Sequence, residues 1–159
     1  MASFRGFIPV LAVIFSFSQC RPAAPSPGNG AVPAMSKEDG NIIISREINV
    51  WEYSKTKQFD KLREILADDY TGHFTSGNLQ PGDAINLLKN TTINSYHLSD
   101  IVVKPVADNV AVIYYKVDQD VTSAGGDKWI PQIAASSVYV KRKGVWYSVF
   151  YQEMPAKQN

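Results

Sequence analysis

The stretch Tyr96-His-Leu-Ser-Asp-Ile-Val-Val-Lys-Pro-Val-Ala-Asp-Asn-Val110-Ala-Val-Ile-Tyr-Tyr-Lys-Val-Asp-Gln-Asp-Val121 decides the fold. It is rich in β-branched and aromatic residues, its period is two, and Asp108-Asn109 breaks it in the middle. That pattern predicts a long hairpin, with strands over Tyr96–Val106 and Val110–Val121. Further along, Gln132–Arg142 and Val145–Glu153 repeat the pattern around a tight turn at Lys143-Gly144, after a loop holding Gly125-Gly126-Asp127. The C-terminal half is therefore a run of antiparallel strands.

Upstream the period changes. Ile44, Ile48 and Trp51, with Ile43 and Val50 beside them, recur at helical spacing, and Arg46, Glu47, Asn49 and Glu52 fill the other positions. This helix should fade at Ser54–Gln58. A second helix is expected to be capped by Asp60, with Leu62, Ile65 and Leu66 on its apolar side. Asp68-Asp69 should end it and lead into a short strand at Tyr70–Thr75, followed by a turn at 76–78. Pro81 opens a third helix carrying Ala84, Ile85, Leu87 and Leu88. Helices first and hairpins after them give an α+β domain, with helices on one face of a curved, mostly antiparallel sheet.

The 159 residues are not uniform. Arg5 is followed by fifteen uncharged residues, Gly6–Cys20, whose apolar stretch Phe7–Phe15 is short of the roughly 20 residues a membrane span needs. A basic start, a short apolar segment and small residues at Ser16 and Ser18 have the form of an export signal over 1–20. Residues 21–39 hold Pro22–Pro33 with almost no apolar bulk, which predicts a disordered tether. Two readings of Cys20 stand. A lone Cys between a signal and a tether resembles the acylated first residue of a bacterial lipoprotein. Gln19 in place of a small residue favours ordinary cleavage instead. Either reading puts the folded domain, 40–159, outside the cytoplasm, with membrane contact only through an N-terminal lipid.

Charge narrows the partners. From Gly40 onward acidic and basic residues balance at 13 each, once Glu38, Asp39, Arg5, Arg21 and Lys37 are set aside. A neutral domain has no basic face for nucleic acid, and Lys141-Arg142-Lys143 is a solvated hairpin end. One Cys and two His provide no metal-ligand spacing, and no Gly-rich phosphate loop or other cofactor motif occurs.

In order along the chain, Ile48-Asn-Val-Trp51-Glu, Lys57-Gln-Phe-Asp60-Lys-Leu-Arg-Glu-Ile-Leu-Ala-Asp-Asp69-Tyr, the Gly77 turn, Asp108-Asn-Val-Ala-Val-Ile-Tyr-Tyr, Val138-Tyr-Val-Lys-Arg-Lys-Gly144-Val-Trp146 and Gln152 resemble the nuclear transport factor two-like superfamily. More narrowly they resemble its ketosteroid isomerase-like and SnoaL-like domains, in a secreted bacterial branch. The resemblance covers Gly40–Pro155. It implies a cone, with three helices against a strongly bent sheet and a cavity between them, and it implies homodimers paired through outward residues such as Val112, Tyr114 and Tyr147.

A concave apolar cavity is where a ligand should sit. The resemblance places one face of the last strand, Trp146, Ser148, Phe150 and Gln152, inside the cone. Alternation adds Ala111, Ile113, Tyr115 and Val117, and leaves open whether Ser137 with Tyr139 or Val138 with Val140 faces inward. The expected ligand-binding set is Trp51, Tyr70, His73, Tyr115, Tyr139, Trp146, Phe150 and Gln152. The resembling enzymes use a carboxylate or a His–carboxylate pair aided by Tyr, for which His73 and Tyr115 are the candidates here. His97 and Asp100 fall on opposite strand faces unless a bulge intervenes. The last strand offers no inward carboxylate on this reading. The expectation is thus an exported, non-catalytic domain that binds a small apolar or amphipathic molecule or else dimerises, with a cofactor-free isomerase, dehydratase or cyclase as the alternative.

Overall fold

A computed structural model describes residues 35–74 and 77–156. The export signal, Cys20 and most of the tether lie outside the described residues. Helix α1 (Lys37–Lys55) is followed by α2 (Phe59–Arg63), β1 (Leu66–Phe74), β2 (Gly77–Leu79), α3 (Pro81–Lys89), β3 (Thr91–Ala107), β4 (Val110–Ser123), β5 (Gln132–Arg142) and β6 (Val145–Pro155). The strands form one sheet in the order β2-β1-β6-β5-β4-β3. Every neighbouring pair is antiparallel except β1 and β6, which run parallel, so the α+β sheet is mixed. The helices cover its concave face, and Ile43, Leu62, Ile113, Val117 and Ile133 meet there with 1% or less of their surface exposed. Among the described residues no helix is long and apolar enough to cross a membrane.

Several boundaries differ from expectation. Helix α1 begins at Lys37, inside the segment read as tether, because Ser36 caps it: the Ser36 hydroxyl accepts from the Asp39 amide at 3.0 Å. Helix α2 is preceded by Gln58, and Asp60 sits in its first turn, where a negative charge complements the helix dipole. Asp68 and Asp69 do not end α2. They lie in β1, pointing outward as ion-pair partners of Arg63 and Arg142 at 2.8 Å each.

The sheet bends at irregularities. The β3–β4 register shifts between Ile93 and Ser95, between Ser99 and Val102, and between Pro105 and Ala107. At the second shift Asp100 takes φ 52° and is paired to Lys116. The decisive irregularity is in β6, where Val138 pairs with Phe150 and Tyr139 with Ser148, leaving Val149 as an extra residue. This β-bulge reverses which side chains face the helices. Trp146 and Ser148 point inward before it, and Tyr151 and Glu153 after it.

The start of α1 is fastened to the far hairpin. The Asp39 carboxylate accepts from Lys141 Nζ at 2.8 Å and Trp146 Nε1 at 2.7 Å, which lowers its pKa to about 2. A depressed carboxylate stabilises the fold fully above its ordinary pKa near 4, and that contribution is lost as pH falls toward 2. Thermal melts of Asp39→Asn should show a lower Tm than the parent at pH 6, with the difference shrinking between pH 4 and 2.

Candidate functional site

The buried face of α1 is Ile43, Glu47, Trp51 and Ser54, spaced four, four and three residues apart. It is rotated from the expected Ile44–Ile48–Trp51 stripe, and Ile48 is 40% exposed. A glutamate therefore occupies a core position, with only 2% of its surface exposed. Neighbouring strands supply what it requires. Along β4, Ala111, Ile113, Tyr115, Val117, Gln119 and Val121 face inward; along β5 the inward set includes Ser137 and Tyr139, which settles the parity left open by the sequence. Tyr115 donates to Glu47 Oε1 at 2.5 Å, Ser137 to the same oxygen at 2.9 Å, and Tyr139 to Oε2 at 2.7 Å. Trp51 Nε1 donates in turn to the Tyr115 hydroxyl at 3.1 Å.

All three partners of Glu47 are neutral hydroxyls. Burial raises the Glu47 pKa above the ordinary glutamate value, and the hydrogen bonds from Tyr115, Tyr139 and Ser137 pull it part of the way back. The same carboxylate acts on its donors: burial and then the negative charge of Glu47 push the Tyr115 and Tyr139 pKa values well up.

Glu47 lies on the wall of a cavity between the helices and the sheet. The volume open to the centre of a water molecule is about 60 Å³, several times the roughly 10–15 Å³ that one water needs. Its walls are mostly apolar and aromatic, including Trp51, Trp129, Phe74 and Tyr70. Tyr70 and Phe74 fold over Gly72, where a Cβ would collide with the Phe74 ring and lie 2.7 Å from the Tyr70 hydroxyl. A second carboxylate, Glu153, reaches the cavity from β6 and accepts from the Tyr151 hydroxyl at 2.9 Å. Burial, then the charges of Glu47 and Glu153, raise the Tyr70 pKa. Among the described residues no cluster of His, Cys, Asp and Glu could hold a metal ion.

The eight side chains expected to form the site divide into four groups. Trp51 and Tyr70 line the cavity, while Tyr115 and Tyr139 hold the Glu47 carboxylate. Trp146 is buried at the opposite end of α1, against Asp39. His73, Phe150 and Gln152 are corrections. His73 is exposed, its ring nitrogen Nδ1 2.5 Å from Asn78 Oδ1 on the neighbouring strand, and the Val149 bulge turns Phe150 and Gln152 away from the helices. His97 and Asp100 are exposed too. The expected lack of an inward carboxylate is likewise overturned, since Glu47 and Glu153 both reach the cavity. Glu47 left a signal in the sequence, four residues after Ile43 and four before Trp51. Glu153 left none, because its direction depends on the bulge.

This geometry can be set beside known proteins. No protein-family model matches the chain, and no curated protein matches it in sequence. Solved structures do. A protein from Cytophaga hutchinsonii described as NTF2-like superposes with a TM-score of 0.67 at 14% identity, over 77% of this chain and all of that one. The chain has the nuclear transport factor two-like fold. Hexachlorocyclohexane dehydrochlorinase LinA-type3 from Novosphingobium barchaimii shares it, with a TM-score of 0.63 at 15% identity over 76% of this chain and 88% of that enzyme. So does the association domain of CaMKII from C. elegans, with a TM-score of 0.60 at 13% identity over 74% and 95%. The nuclear transport factor two-like fold thus accommodates both an enzyme and an association domain.

Removing one donor from a buried carboxylate should be costly, whereas an outward imidazole should matter little. Tyr139→Phe is expected to lower the unfolding free energy by about 1.5–3 kcal/mol in urea titrations. His73→Ala should stay within about 0.5 kcal/mol of the parent.

Proposed function

We propose that this domain binds a small, largely apolar molecule in the cavity of the cone, with Glu47 as its fixed polar contact. The observation that carries this reading is a carboxylate buried in an apolar wall and locked in place by Tyr115, Ser137 and Tyr139. A rigid polar group in an otherwise apolar concavity is the arrangement that orients a ligand. Native mass spectrometry of the full chain should show a retained small molecule that Glu47→Gln no longer carries. A parent protein that stays empty and gains no thermal stability from any compound in a fragment panel would overturn the reading.

Catalysis is a second reading, favoured by a specific observation. The raised pKa of Glu47 brings a buried carboxyl closer to neutrality, within a pocket that also holds the phenols of Tyr70 and Tyr151. A base of that kind beside phenols that could steady a developing oxyanion suits isomerase, dehydratase or cyclase chemistry without a cofactor. The structural likeness to a dehydrochlorinase supports it. Glu47→Gln separates the two: lost turnover with retained affinity marks an enzyme.

We further propose that the domain is exported by its leader and acts as a homodimer. In support, Val112, Val138 and Phe150 stand in register across three strands on the face away from the helices, next to Tyr114, which is 46% exposed. The likeness to an association domain points the same way. Sedimentation should show a dimer at tens of micromolar, and Val138→Asp, which places like charges against each other across a two-fold interface, should give monomers.

A further inference from the structure

The cavity wall is chemically lopsided. Among the described residues that line it stand two carboxyl side chains, Glu47 and Glu153, and no Lys, Arg or His. Glu47 uses both acceptor sites of Oε1 on Tyr115 and Ser137 and one site of Oε2 on Tyr139. A carboxylate has about four such sites, so one remains on Oε2. Its three partners compensate the loss of water with dipoles and not with a positive charge.

A second, independent observation concerns two hydroxyls. Tyr70 and Ser148 are 4% and 2% exposed, and both line the cavity. Among the described residues neither hydroxyl has a hydrogen-bonding partner, although the other buried phenols, Tyr115 and Tyr139 beside Glu47 and Tyr151 on the wall, all have one. Neither oxygen is sealed off, since among the described residues the fully buried side-chain atom without a partner is Arg46 Nε, so both hydroxyls stay open on the cavity wall to hydrogen-bond a molecule held there. Around them stand the aromatic faces of Trp51, Trp129 and Phe74.

We propose that the ligand is a small organic ammonium ion whose apolar body lies against the aromatic wall and whose charged nitrogen is held by Glu47, with Tyr70 and Ser148 accepting its remaining N–H bonds. This rests on the ligand-binding reading above and names the class of molecule it takes. An ammonium group has three donors and no acceptor, which suits a wall of carboxyl and hydroxyl oxygens. Aromatic faces attract cations, and the attraction strengthens out of water. An anion of the same shape would meet two carboxyls, and a neutral alcohol would leave Glu47 without a countercharge.

Three probes of nearly equal shape decide the matter: benzylammonium, benzyl alcohol and benzoate, titrated calorimetrically into the full chain at pH 7. Benzylammonium should bind at least about tenfold more tightly than benzyl alcohol, as expected for a charge-assisted pair, and benzoate should not bind. Glu47→Gln should abolish the preference for the ammonium over the alcohol. Tyr70→Phe, which removes a hydroxyl without a partner, should weaken ammonium binding about threefold while leaving Tm unchanged, and it serves as the readout if Glu47→Gln does not fold. Benzyl alcohol or benzoate binding as tightly as benzylammonium would overturn the proposal and leave the cavity as a ligand site. Silence from all three probes would overturn both the proposal and the ligand-binding reading beneath it.

Discussion

The burial of one carboxylate organises this domain. Glu47 sits in the core face of α1, where a charge without compensation would cost several kcal/mol even after relaxation. Its compensation comes from hydroxyls on two different strands, Tyr115 on β4 and Ser137 and Tyr139 on β5. The network therefore fixes the helix against the sheet at a single height and rotation. A slide of one residue along α1 would leave the carboxylate among apolar groups and strand three hydroxyls. At the other end of the helix, Asp39 makes the corresponding attachment to Lys141 and Trp146. Two acidic side chains, eight residues apart on one helix, thus set its position over the sheet, one in the interior and one near the surface.

The two attachments respond to acid in opposite senses. Hydrogen bonds from Lys141 and Trp146 hold Asp39 below the usual carboxylate range, so protonating it weakens the fold. Burial holds Glu47 above that range, so its protonation relieves a cost that the folded chain carries. The interior carboxylate is thus a burden on stability that the fold retains at the wall of its cavity, as is common where polar groups serve binding or chemistry.

Most of the architecture was legible in the sequence because it rests on periodicity. The alternation through Val110–Val121 and Gln132–Arg142 predicted the strands, and Pro81 marked the third helix correctly. The site was less legible, for two physical reasons. The first helix has apolar residues at both Ile43–Ile44 and Ile48, so its buried face could be drawn with Glu47 outside it, and the tertiary hydroxyls that make Glu47 tolerable in the core come from strands about 70 and 90 residues away. The second reason is the bulge. Alternation predicts side-chain direction only while the ladder stays regular, and Val149 interrupts it. Trp146 and Ser148 were placed correctly; Phe150 and Gln152, beyond the interruption, were not.

That extra residue also means that β6 holds two linings within one sequence. With Val149 looped into the ladder the cavity receives Tyr151 and Glu153; in a regular ladder the same stretch would offer Phe150 and Gln152. The first pair brings a phenol and an acid, the second a phenyl ring and an amide. Straightening the ladder with Val149 kept would therefore exchange the acid of β6 for an amide without replacing any amino acid and leave Glu47 as the carboxylate of the chamber, whereas loss of Val149 itself would keep Tyr151 and Glu153 inward. In this strand the backbone register, as much as residue identity, writes the chemistry of the interior.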